Sequence, residues 1–422
     1  MRTENRHKRI VGALAGATAL ATVLAACGGG SSGSKSSGSS AAATVPATSA
    51  APTGTLLTFG TISADSGPVI LSSISDGTEA WAKYVNTHGG IAGHPVKIVR
   101  CDDTLDATKN QDCARQMIQN KSVLAVIGGE TVVTPLVAAP LFNQSGLTYE
   151  ATETTGAGEM TGKSMFAITG GAISQFAALA SYFPGQGDKK VALVNAASPS
   201  STKAAQQTTK EVQAAGGKVV ATVFAAPGTP DYSPVATQLV SSGADVIVAG
   251  VTPTDLPALI RAIRQQSSTV KIATLASEWP ATTVKTVGSQ KDGIYMATDW
   301  APFADDSTDP NVVALKSSLD QIGKSSSFGQ GALSGWLGGK SIEAAINGLG
   351  ADKVSRSALL NYLQTAQLSV KGIPVKLQRP QGSNPPGGYD GLANPSAYVN
   401  KWSGDTLTQV KLLTNVFSSS SS

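Results

Sequence analysis

Histidine is almost missing, at three residues in 422, and this removes most hydrolytic chemistry at the outset. His7 lies in the leading segment, so a Ser-His mechanism would have to use His88 or His94, both in "NTHGGIAGHPVKI". They flank a glycine turn between a helical and a strand-like stretch, where solvated loop residues are expected. No G-x-S-x-G elbow and no G-x-x-x-x-G-K-[ST] loop occurs, and Gly89–Gly93 lacks dinucleotide spacing and precedes a strand rather than a helix. The paired acids Asp305 and Asp306 fall in a polar loop. No catalytic residue, cofactor or metal is expected.

Charge and long apolar runs are also scarce. The chain carries a formal +4, of which four bases and one acid lie in residues 1–26, so the remainder is close to neutral and evenly mixed. Nothing resembles a basic stripe for nucleic acid. The longest uncharged apolar stretch near the start, Ile10–Leu24, is 15 residues, short of the roughly 20 needed to span a bilayer. Aromatics make up 5% of the chain, and Ala, Val, Gly and Ser are abundant, which suits closely packed α/β layers.

What is present begins at the amino terminus. Arg2, Arg6, Lys8 and Arg9 precede the short apolar run, the order of a secretory signal. The run ends in Leu24-Ala25-Ala26-Cys27, which resembles the lipobox of bacterial lipoproteins. That resemblance implies cleavage after residue 26 and acylation of Cys27. Gly28–Gly54 is nearly all Gly, Ser, Ala, Thr and Pro with Lys35 as its one charge. Such a stretch cannot bury enough apolar surface to offset chain entropy and reads as a tether. The expectation is an exported protein, anchored by lipid to the outer face of the cell membrane.

Cys101 and Cys113 remain once Cys27 is set aside. An even remainder in an exported chain reads as one disulfide. The alternatives are two free thiols or half a metal site, although Asp102, Asp103 and His94 give no recognisable zinc spacing.

From Leu56 onward, short apolar strands alternate with longer helical segments. Strands are expected at Leu57–Ile62, Val96–Arg100, Val123–Ile127 and Leu147–Glu150, with helices at Asp76–Asn86, Ala107–Asn120 and Thr134–Gln144 between them. A second series follows: strands at Val191–Val194, Val219–Phe224, Val246–Ala249, Ile272–Leu275 and Ile294–Ala297, with helices at Thr202–Ala215, Tyr232–Ser242 and Leu256–Gln266. Continuous apolar strands each followed by a helix predict parallel sheets covered on both faces. Three helices after Trp300 are expected to return to the first lobe, and Ile373–Leu413 to complete the second. The fold class is therefore α/β, two doubly wound lobes joined by a three-stranded hinge, with crossings near residues 170, 299 and 372. Residues 1–26 form the signal, 27–54 the lipidated tether, 55–170 with 300–372 lobe 1, and 171–299 with 373–422 lobe 2. A hinge between lobes makes a cleft.

"FGTISADSGP" (Phe59–Pro68), "YVNTHGGIAGHPVKIVRCDD" (Tyr84–Asp103) and "VLAVIGG" (Val123–Gly129) resemble the leucine/isoleucine/valine-binding protein family. These are the substrate-binding components of branched-chain amino-acid ABC transporters. The resemblance runs from about Leu56 to Leu349, implies the type I periplasmic-binding-protein fold, and extends to a Cys101–Cys113 bridge seen in parts of the family. It implies carboxylate contacts at Thr131 and the pair Thr154 and Thr155, and an ammonium acceptor at Glu278, with Trp279 or Trp300 walling the side chain. Departures are Ser200 and Ser201 where Tyr-Gly is frequent, and Glu130 in a stretch usually rich in serine. A zwitterion stripped of water needs charge-assisted hydrogen bonds at both ends, and small hydroxyls at helix starts suit the carboxylate. The same hydroxyls also suit ordinary helix capping.

The function so expected is a monomeric extracytoplasmic receptor that closes on a small amino acid, branched-chain or related, and delivers it to ABC permease subunits. The competing expectation is a sensor of the same fold for an amide, urea or another small polar solute, without uptake.

Overall fold

The computed structural model describes residues 50–67, 70–129, 131–304, 306–380 and 386–417. The expected signal, Cys27 and nearly all of the expected tether lie outside them. The first series runs β1 (Leu57–Ser63), α1 (Ser73–Thr87), β2 (Val96–Asp102), α2 (Ala107–Gln119), β3 (Val123–Ile127), α3 (Thr134–Ser145), β4 (Thr148–Ala151) and β5 (Met165–Ala167). The second runs α4 (Gly171–Gly185), β6 (Lys190–Ala196), α5 (Pro199–Ala214), β7 (Lys218–Ala225), α6 (Ser233–Ser241), β8 (Val246–Gly250), α7 (Leu256–Gln266), β9 (Lys271–Leu275), α8 (Ala281–Val287) and β10 (Tyr295–Thr298). Then come α9 (Pro310–Gln321), α10 (Gln330–Leu349), α11 (Arg356–Thr365), β11 (Ala397–Ser403) and β12 (Thr406–Leu413). No helix among the described residues is long and apolar enough to cross a membrane.

The strands form two sheets. One has the order β2-β1-β3-β4-β5, all parallel. The other has the order β12-β11-β10-β9-β8-β6-β7, parallel from β7 to β10 and closed by the antiparallel pair β11 and β12. Every residue of β1 is buried, as a central parallel strand with helices on both faces requires. Strand order reverses between β1 and β3 and again between β6 and β8. In open α/β sheets ligands bind beyond the carboxyl ends of strands at such reversals, so the loops after these strands frame the site.

Helix starts are set by local chemistry. Asp106, Ser198, Asp309 and Ser355 each accept a backbone N–H in the first turn of α2, α5, α9 and α11. Between the first sheet and α1, α9, α10 and α11 lies one core containing Phe59, Trp81, Trp300, Trp336 and Leu337. The outer face of the second sheet packs on α6 and α7 through Ile247, Leu259, Ile263 and Ile272. A third cluster is continuous from Phe142 and Tyr149 on one sheet, through Met160, Met165, Leu392 and Phe417, to Phe183 and Leu193 on the other.

Several expectations need correction. Ile373, Leu377 and Ala393 belong to the first core, Leu377 pairs with Leu368, and Ala393 N–H donates to the Ala167 carbonyl at 2.8 Å. The chain therefore enters the second sheet at Ala397, not near residue 372, because this segment covers apolar surface beside β5. Gly54, at the end of the expected tether, donates its N–H to Gly93 O at 2.9 Å. The two histidines are not solvated loop residues either. His94 is 8% exposed and holds Thr55 O at 2.9 Å and Asp352 at 3.2 Å, while His88 stacks on Tyr84 at 3.9 Å. Cys101 and Cys113 are joined as a disulfide, tying β2 to α2 with their Cα atoms 5.7 Å apart.

The contact of α1 with α10 depends on glycine. A Cβ on Gly335 would sit 1.9 Å from the Ile74 carbonyl oxygen, a backbone atom that has little room to move. Alanine raises helix propensity by about 1 kcal/mol, yet overpacking of a tight contact costs about 1–3 kcal/mol, and here the obstacle is backbone. Gly335→Ala is expected to lower stability in urea unfolding; equal or greater stability would show that the helices can separate freely.

Candidate functional site

Beyond the carboxyl end of β3, the chain turns through Gly128 and Gly129 to Thr131, which is 1% exposed. Its Oγ1 donates to Asp103 Oδ2 at 2.6 Å. Asp103, itself fully buried just after β2, also accepts Asn110 Nδ2 at 2.8 Å and the Leu105 N–H at 3.0 Å. Asn110 Nδ2 reaches Thr134 Oγ1 at 3.0 Å. The expected ligand hydroxyl at Thr131 is thus already engaged. Glu130 lies outside the described residues.

The loop after β4 is braced by a second acid. Thr155 donates its N–H at 2.7 Å and its hydroxyl at 3.2 Å to Glu159 Oε2, and Tyr149 OH donates to Oε1 at 3.1 Å. Thr155 Oγ1 also reaches the Thr131 carbonyl at 3.4 Å, joining the two loops. Burial pushes the Glu159 carboxyl up to about 7 despite the Thr155 N–H and the Tyr149 hydroxyl, which oppose the shift. A carboxyl raised from about 4.5 to about 7 destabilises the fold as pH climbs through that window, by roughly 3 kcal/mol. Its contribution is most favourable below the unfolded-state value and is lost by about pH 7. Glu159→Gln is expected to flatten the fall in stability between pH 5 and pH 7, read by urea unfolding across that range. An unchanged slope would mean the carboxyl is not titrating there. Thr154 differs from its neighbours: it is 2% exposed and its hydroxyl has no hydrogen-bond partner.

On the second sheet, the loop after β6 closes on itself. Ser201 N–H donates to Ser198 Oγ at 3.1 Å and the two hydroxyls lie 2.7 Å apart, so Ser201 serves the cap of α5. The side chain of Ser200 lies outside the described residues. After β9 a single helical turn, Ala276–Glu278, buries Glu278 at 2% exposure. Its Oε2 accepts the Leu275 N–H at 3.3 Å and its Oε1 has no partner. Burial raises this carboxyl well above the usual range, with the Leu275 and Val251 N–H groups opposing.

The tryptophans do not wall a cleft. Trp279 donates Nε1–H to Thr274 Oγ1 at 2.7 Å and packs beside Trp402, 5.7 Å between ring centroids, in the second sheet's outer core. Trp300 donates to Ser334 Oγ at 2.6 Å and lies in the first core. An indole large enough to line a ligand is also the side chain a small-residue core most readily absorbs.

Three groups were overlooked. Asp103 and Glu159 hold the threonine loops, and Asp299, at the end of β10, sits where the chain returns to the first sheet. Asp299 Oδ2 accepts Gln175 Nε2 at 2.9 Å, and Gln175 Oε1 accepts the Ala276 N–H at 3.0 Å. Burial lifts the Asp299 carboxyl to about 6, opposed by Gln175 and the nearby Gly171 N–H. A visible signal existed: an acid directly after the apolar strand Tyr295–Thr298.

The third segment between the sheets is fastened to the first, since Asn394 Nδ2 donates to Ile168 O at 2.8 Å. Among the described residues, no group of three or more His, Cys, Asp or Glu is placed to hold a metal ion.

With this geometry in hand, comparison with known proteins gives a consistent answer. A periplasmic binding protein family matches residues 57–390. An amino acid binding protein of Pseudomonas aeruginosa is 23% identical over 214 residues, 49% of this chain and 57% of that protein. The match thus spans little more than half of that relative. A leucine-binding protein from Thermotoga maritima superposes with a TM-score of 0.65 at 17% identity, covering 85% of this chain and 99% of its own. A solute-binding protein of an ABC transporter from Rhodopseudomonas palustris HaA2, in complex with p-hydroxybenzoic acid, gives 0.68 at 18% identity, covering 85% and 97%. At these identities the likeness shows the two-lobed type I fold. Together with a family match over most of its length, the fold places this chain in the periplasmic binding protein family.

Proposed function

We propose that the protein is the extracytoplasmic solute receptor of an ABC importer, and that it closes around a small amino acid, branched-chain or related, without covalent chemistry. The observation that carries this reading is a pair of braced threonine loops after strands of the first sheet and, after β9 of the second, a buried glutamate with one unpartnered oxygen. A solute carboxylate meets the start of α3, where helix polarity favours an anion. The solute ammonium meets Glu278, whose charged form burial disfavours and a cation restores.

In this reading lobe 1 takes residues 55–170 and 300–372 together with Ile373, Leu377 and Ala393, and lobe 2 takes 171–299 and the chain from Ala397. Closure of the lobes reports occupancy to the permease. Acylated Cys27 and the tether hold the monomer at the outer face of the membrane.

The test is thermal unfolding of the purified chain against Leu, Ile, Val, other amino acids, acetamide, urea and 4-hydroxybenzoate. Binding to the folded state adds RT ln(1 + [L]/Kd), about 2.7 kcal/mol at a hundredfold excess over Kd. A shift with amino acids supports the reading. A shift with acetamide, urea or 4-hydroxybenzoate alone replaces its ligand class, and no shift with any of them removes the amino-acid assignment.

A further inference from the structure

Where the chain first passes between the sheets, four buried oxygens from four segments lack partners. They are Thr154 Oγ1 from the loop after β4, Ser174 Oγ from the first turn of α4, Asp299 Oδ1 after β10 and Glu278 Oε1 after β9. All four residues are at least nine-tenths buried. One such orphan costs about 1–3 kcal/mol, so four in one neighbourhood call for a function.

Their neighbourhood is fixed by contacts. Gly171 has φ +51°, and a Cβ there would lie 2.0 Å from the Thr154 carbonyl and 2.7 Å from its hydroxyl, so Thr154 rests directly on this glycine. The N–H of the same residue is close enough to Asp299 to favour its charged form. Ser174 folds back on Gly170, where a Cβ would lie 1.8 Å from its hydroxyl. Gln175 then bridges Asp299 to Ala276, two residues before Glu278. The two carboxyls are therefore neighbours but separate: an amide side chain and a backbone N–H intervene, so each offers its own free oxygen.

The chemistry of the set is one-sided. Once ionised, the two carboxyl groups accept only, and the two hydroxyls accept as readily as they donate. A carboxylate or aryl acid would add acceptors and negative charge to a site already rich in both. A basic nitrogen brings several donors and a positive charge, satisfying the set in one step.

We propose that Asp299, with Thr154 and Ser174, forms a second cation subsite of the solute cleft, holding a basic nitrogen on the side chain of the bound amino acid. The inference rests on Glu278 as the acceptor of the α-ammonium and narrows that reading. The solute is an amino acid with a second, basic nitrogen, an amine or a guanidine.

Titration calorimetry on the full chain, with lysine, ornithine and arginine against leucine and valine, tests this. The expected result is at least tenfold tighter binding of one or more of the basic three. Asp299→Asn should abolish that preference, bringing the ratio of basic-amino-acid to leucine affinity down to about one. Ser174→Ala, which keeps the Gln175–Asp299 bond, should reduce the preference several-fold. It also serves as the second test if Asp299→Asn fails to unfold cooperatively. Leucine or valine binding as tightly as the basic amino acids overturns the subsite and leaves the receptor reading intact. A preference that survives both substitutions overturns the subsite in the same way. Binding of no amino acid at all overturns both.

Discussion

Glu278→Gln is expected to weaken binding of an amino-acid solute by roughly 30- to 5000-fold while leaving the unliganded protein no less stable. The two halves of that result come from one observation. In the free protein the carboxyl is fully enclosed, touches the Leu275 N–H, and leaves its second oxygen without a partner. Burial raises its proton affinity well above the ordinary value. A carboxyl raised in the folded state contributes most favourably below its unfolded-state value, and stability then falls as pH climbs towards the folded-state value. A glutamine has no charge to desolvate, so it removes that penalty at neutral pH. When a cation arrives, the same burial becomes an advantage, since removing one partner of a desolvated, hydrogen-bonded charge pair costs about 2–5 kcal/mol. Calorimetry and urea unfolding of the same variant check both halves. Wild-type affinity in Glu278→Gln would remove the ammonium assignment, and a large loss of unliganded stability would make the residue structural.

The parallel strands were readable because most are short runs rich in apolar residues between turn signals, and β1, β3 and β9 fall within a residue or two of expectation. What escaped notice shares a different property. β5 has three residues, too few for any period to show. The helix α4 follows Gly170, opens on Gly171 and is apolar on nearly every side, with Ala177, Ala178, Leu179 and Ala180 buried in succession. A helix buried all round carries no amphipathic stripe. The described residues 373–380 and 386–393 have almost no regular structure, and their allegiance is set by which apolar surface they cover.

The site shows the same division. The positions of Thr131, Thr154, Thr155 and Glu278 follow from strand ends, which the pattern locates. Their hydrogen-bond partners do not follow. Thr131 pairs with an acid 28 residues earlier, just beyond the end of another strand, and Thr155 with one four residues later in a turn that the pattern does not mark. Strand ends therefore locate the hydroxyls, but two of those expected to meet the solute are held by buried acids instead. Trp279 and Trp300 failed for a related reason: a residue adjacent to a strand end can point into either layer, and only the layer's contents decide.

That bracing has a measurable cost of removal. Asp103→Ala strips the acceptor from the Thr131 hydroxyl, the Asn110 amide and the Leu105 N–H together. Hydrogen bonds to a charged group are worth about 1.5–3 kcal/mol each, and buried donors left without a partner add their own penalty. Partial relaxation and water entry return some of this, so a loss of about 3–5 kcal/mol in urea unfolding is expected. Thr131→Val removes one of the three bonds and should cost about 1–2 kcal/mol. Residues in one hydrogen-bond network are not additive, with coupling of about 0.5–3 kcal/mol. The double variant should therefore lose less than the sum of the two. Solute affinity should follow the same pattern, falling about tenfold in Asp103→Ala, because the start of α3 is positioned by the loop this carboxylate holds. Strict additivity in both measurements would mean that Thr131 and Asp103 act independently, and that the loop after β3 is held by its glycines and by β1 rather than by the buried acid.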